Sequence, residues 1–156
     1  MFKLEKINEF EKLLISAFDD PISNILLKYS HLTVIQFETY IIDLIIDNMS
    51  EKVLTYEEKK IYRSNKVSRG SFSRTLSQCR KNIISSMFTI LLLNYIGLLE
   101  GSPLEEFQTL SNNLHEYSHA FMSSDLRIDS NRLKKIEREL LDGIEKLSKP
   151  RSLKSM

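Results

Sequence analysis

Apolar residues recur at helical spacing along almost the whole chain, and only 4 glycines and 3 prolines interrupt its 156 residues. A chain patterned at intervals of three and four buries one stripe per helix. With so few breakers it offers no convincing strand. The sequence therefore reads as all-α, a bundle of six to seven helices ending in a C-terminal helical hairpin. Its length suits one domain with a real core and no need of staples. Within that domain, residues 1–50 read as an N-terminal helical scaffold and 51–100 as a basic helical pair followed by an apolar helix. Residues 101–148 read as the hairpin, able to serve as a dimerisation arm, and 149–156 as a disordered tail.

Helix starts are written in capping residues. The first helix is expected over Leu4–Phe18, with Leu4, Ile7, Phe10, Leu14 and Phe18 on one stripe. Asp20 before Pro21 has the form of an N-cap and first helical position. Thr33 with Gln36 makes a capping box for a helix whose Phe37, Ile41, Leu44 and Ile45 face a core, and Thr55 with Glu58 makes another for a helix over Tyr56–Ser64. Asn65, Lys66 and Val67 then form a short turn, and Ser68 caps a helix whose Phe72, Leu76, Cys79 and Ile83 form one buried stripe. The run Ser86–Leu99 is apolar nearly all round, so it must be covered on every side, either as a central helix or partly by a second copy. Ser102, Pro103 and Glu105 open a helix carrying Leu104, Phe107, Leu110, Leu114, Tyr117 and Phe121. Asp129 or Ser130 opens the last, carrying Leu133, Ile136, Leu140, Ile144 and Leu147.

Charge is distributed as unevenly as hydropathy. From Lys59 to Leu99 there is no Asp or Glu, while Lys59, Lys60, Arg63, Lys66, Arg69, Arg74, Arg80 and Lys81 fall in the first part of that stretch. Those eight leave fourteen Lys and Arg against 21 Asp and Glu elsewhere, so a net +1 is a local +8 set against −7. A single-sign field of this kind is what a polyanionic partner requires. Arg69, Ser71, Ser73, Arg74, Gln78 and Lys81 lie away from the apolar stripe. Two helices, a tight turn and a second helix with a donor-rich outer face are the parts of a helix-turn-helix.

The residues that build this element also resemble a known family. VSRGSFSRTLSQCRKNI, Val67 to Ile83, and LTYEE, Leu54 to Glu58, resemble the region 4 helix-turn-helix of bacterial sigma factors and related regulators, so that residues 54–83 carry the likeness. The resemblance implies that Val67, Phe72, Leu76, Cys79 and Ile83 face the core and that Gly70 is the small residue of the first turn. It implies that Arg69, Ser71, Arg74 and Gln78 face DNA; it does not extend to transcription initiation. The expectation is a cytoplasmic, homodimeric DNA-binding regulator without catalytic activity or cofactor. Lys59, Lys60, Arg63 and Lys66 would support Arg69, Ser71, Ser73, Arg74, Gln78 and Lys81 on double-stranded DNA.

Two other readings compete. One is a helical interaction module whose basic surface docks an acidic protein. The other rests on His115, Glu116 and His119, an H-E-x-x-H string that places two imidazoles one helical turn apart and resembles the zinc peptidase pattern, with the glutamate as general base. A third ligand is not evident, and the simpler account is two histidines on the edge of an amphipathic helix. The single cysteine, Cys79, rules out an internal disulfide and suits a reducing compartment. No secretory signal is evident at the start, and Ile83–Leu99 is too short and too interrupted by polar residues for a membrane span.

Overall fold

In the computed structural model Asp20, Thr33, Thr55, Ser68 and Asp129 each stand at the start of a helix, where a side chain can take up the orphan N–H groups of a first turn. The structure describes residues 12, 15–49, 54–99, 103–122 and 129–148, and among them it is helical with no strand. The expected tail lies outside the described residues, as does most of the expected first helix, of which 12 and 15–18 are helical, the helix running one residue further to 19. Two compact units, Met1–Ser86 and Met87–Met156, divide the chain.

In the first unit, Asp20 caps α1 (Pro21–Tyr29) by accepting from the N–H groups of Ile22 and Ser23. Helix α2 (Val34–Met49) opens on a reciprocal box in which Gln36 N–H donates to Thr33 Oγ1 and Thr33 N–H donates to Gln36 Oε1. Glu58 likewise accepts from Thr55 N–H at 2.8 Å at the start of α3 (Tyr56–Lys59), which tightens into a 3-10 turn, η1 (Lys60–Tyr62), rather than running on to Ser64 as an α-helix. After the bend at 63–65, Ser68 caps α4 (Arg69–Tyr95) by accepting from Ser71 N–H.

These elements close on Ile42 and Ile46 of α2 and Phe72 and Leu76 of α4, with Leu54, Tyr56, Tyr62 and Val67 packed around them. The Tyr56 and Phe72 rings meet at 5.8 Å. Cys79 is fully buried beside this cluster, and burial pushes its thiol up from the ordinary value, the Arg80 charge opposing. The stripe expected on α4 is thus the buried one, with Ile83 half-buried. On α2 the buried face is rotated from the expected one. Leu44 is exposed, and Glu38, Thr39 and Asp43 go inward with Ile42 and Ile46. The reason is electrostatic, because these acceptors face cations from α3, the bend at 63–65 and α4.

The second unit holds the end of α4, α5 (Pro103–Met122) and α6 (Ser130–Ser148). Helix α4 stops at Gly97, whose φ of 74° lets Gly97 N–H reach Asn94 O and Leu98 N–H reach Leu93 O, the double bond of a Schellman cap. Asp129 takes the N-cap position of α6, accepting from Asn131 N–H. Leu140 is buried on α6, and α5 and α6 line a mostly apolar groove of about 500 Å³ between Leu114, Tyr117, Ile136 and Leu140.

Candidate nucleic-acid interface

The structure divides the eight cations of the basic stretch into an inner and an outer set. Lys59 is 2% exposed; its Nζ donates to Asp43 Oδ1 at 2.7 Å and lies 2.5 Å from Asp47 Oδ1. Burial alone would lower its pKa, but the bonds to Asp43 and Asp47 together outweigh that and hold it above the usual lysine value. Arg63 is 8% exposed, donating from Nη1 to Thr39 Oγ1 at 2.6 Å. Its Nε lies 2.8 Å from Glu38 Oε2 without a hydrogen bond, an attraction of charge alone. Arg80 is half-exposed and donates from Nη2 to the other oxygen of Asp43 at 2.6 Å. The expectation that Lys59 and Arg63 contact a partner is therefore corrected. Both are consumed by the chain's own carboxylates, which the long gap in sequence between α2 and the basic stretch conceals.

This inner set fixes the geometry of the outer one. Glu38 also accepts from Ser64 N–H at 2.6 Å, so one α2 carboxylate holds both the guanidinium and the backbone of the bend that leads into α4. Asp43 joins α3 to α4 by pairing with Lys59 and Arg80. Asn82 adds a third tie, donating to the carbonyl of His31 and to Gln36 Oε1. The start of α4 is thus anchored on its inner side by Phe72, Leu76 and Cys79 and at its flanks by ions and amides.

Outward, Lys66, Arg69, Ser71, Arg74, Gln78 and Lys81 are all exposed. Among the described residues Lys66, Arg69, Arg74 and Lys81 carry no ion pair with an acidic group of the protein. At 100° per residue, Ser71, Arg74, Gln78 and Lys81 share an arc of about 80° opposite the buried stripe, while Arg69, in the first turn, is exposed at the helix start about 120° from that arc. Ser73 is half-buried and turned to the flank. There it lines a shallow recess of about 520 Å³ with Tyr56, Ser77, Lys81, Ile84 and Arg80, the last already paired with Asp43. Lys60 is half-buried and pairs with the exposed Glu57 one turn before it.

His115, Glu116 and His119 are exposed on α5, the two rings meeting edge to face at 4.5 Å. Among the described residues no group of three His, Cys, Asp or Glu side chains is gathered as a metal would need. No described helix is long and apolar enough to cross a membrane. Comparison with protein-family models, with curated proteins and with solved structures returned no match.

Proposed function

We propose that this chain is a cytoplasmic DNA-binding protein, a transcriptional regulator that works as a homodimer and reads duplex DNA with the first half of α4. The observation that carries the reading is the outward face of that helix. It presents Arg74, Gln78 and Lys81, with Lys66 and Arg69 exposed at the helix start, in a stretch devoid of acids, and it is backed by buried apolar residues. In this reading α3 with η1, the bend and α4 act as a helix-turn-helix, with α4 in the major groove. Arg69, Arg74 and Gln78 carry donors suited to guanine or adenine edges. Lys66, Lys81 and Ser71 take phosphates.

The zinc reading finds no support in a third ligand, and an acidic protein partner remains the competing occupant of the same face. Mobility shift of duplex DNA across a salt series separates the two. With Lys66, Arg69, Arg74 and Lys81 of both protomers displacing counterions, the slope of log affinity against log salt is roughly −7, and Lys81→Ala, present in both copies, reduces it by about 2. Arg74→Ala weakens preference at one base position by about 1–3 kcal/mol. Absence of retardation at about 100 mM salt with random and selected duplexes alike, at a Debye length near 10 Å, would remove the proposal.

A further inference from the structure

We infer that two copies of this chain pair through one face of α4, made by Met87, Phe88, Leu91, Leu92, Tyr95 and the adjoining Ile96. The inference rests on the two-copy part of the reading above and names the surface that does it. All six side chains are more than half exposed, from 54% at Ile96 to 87% at Tyr95. The five that lie within the helix fall inside an arc of about 140°, so they form one continuous face. Lone exposed apolar residues need no explanation, but six large ones together on one face do.

The size of the face fits a partner protein. With these exposures the six side chains offer about 800 Å² per protomer, which is one partner's share of a standard stable interface. The chemistry of the face points to a second copy as that partner. Residues 82–99 carry no charge of either sign. Two copies related by a two-fold axis therefore meet without like-charge repulsion, and there is no charge pattern to select a different chain. A lipid surface is a poor match, because an interfacial helix flanks its apolar face with cations and this segment has none. Phe88, Leu91 and Tyr95 recur at intervals of three and four, the spacing at which side chains of one helix interdigitate with those of a neighbour.

Sedimentation equilibrium of the full chain without DNA, at tens of micromolar, tests this. The wild-type chain is expected at twice its 18.2 kDa. Leu91→Glu and Tyr95→Lys, each at an already exposed site, are expected at the single-chain mass with an unchanged helical circular dichroism signal. Ile144→Lys, on the groove-lining face of α6, is expected to leave the doubled mass intact. Should Leu91→Glu fail to fold, Tyr95→Lys decides, since a cation suits the last turn of a helix. A wild-type chain of single mass overturns the inference, as does a doubled mass that survives the α4 substitutions or is abolished by Ile144→Lys alone. Because no DNA is present, a dimer that fails to retard duplex would count against the DNA reading and not against this surface.

Discussion

Lys59 shows how much of this protein's charge is structural. A lysine ammonium removed from water is costly, and it is tolerated here because Asp43 and Asp47 both reach it while Arg80 takes the second oxygen of Asp43. Removing the lysine leaves Asp43 buried with one partner, so Lys59→Ala is expected to cost about 3 kcal/mol or more in urea unfolding. A loss below about 1 kcal/mol would mean that water replaces the ammonium at Asp43. The same pair sets an alkaline limit. The folded chain holds the Lys59 proton more tightly than the unfolded chain, so this part of the stability is complete below the ordinary value of 10.5 and is lost as pH rises through the higher folded one. Lys59→Ala should accordingly flatten the stability profile in that alkaline range.

At the scale of elements, the helix starts were legible and the helix faces less so. Asp20 before Pro21, the Thr33–Gln36 box, the Thr55–Glu58 box and Ser68 are local signals within one turn, and local signals survive whatever tertiary context surrounds them. The face of α2 was not legible, because Glu38 and Asp43 look like solvent-facing residues until partners 16 to 37 positions away are folded onto them. Lys59 and Arg63 were misassigned to the interface for the same reason. The stripe of α4 was legible because Phe72, Leu76 and Cys79 are apolar and buried alike. Its end at Gly97 illustrates a third case, in which a glycine is needed for its backbone. Nothing lies within 4 Å of a Cβ added there, so Gly97→Ala meets only the penalty of a left-handed φ. The expected cost is about 1 kcal/mol by thermal or urea unfolding, with Gly97→Asn intermediate. An alanine variant as stable as the parent would show that the Schellman cap contributes nothing to holding the helix end.

Across the molecule, the local +8 against −7 that marks the sequence resolves into two populations that salt should tell apart. Lys59, Arg63 and Arg80 meet acidic groups of α2 at 2.5 to 2.8 Å, with Lys59, Arg63, Glu38 and Asp43 all buried. Ions in solution do not penetrate such pairs, so their contribution to stability is nearly independent of ionic strength. Lys66, Arg69, Arg74 and Lys81 instead stand in solvent, where every interaction with a polyanion displaces counterions. One titration reads both populations. Raising salt from about 50 to 200 mM is expected to move the melting temperature by no more than about 2 °C, while affinity of the dimer for duplex DNA falls roughly 10⁴-fold. A melting temperature that drops steeply with salt, beside an affinity that does not, would reverse the assignment. The α2 pairs would then be open to solvent, and the outward cations would not be the groups that meet phosphate.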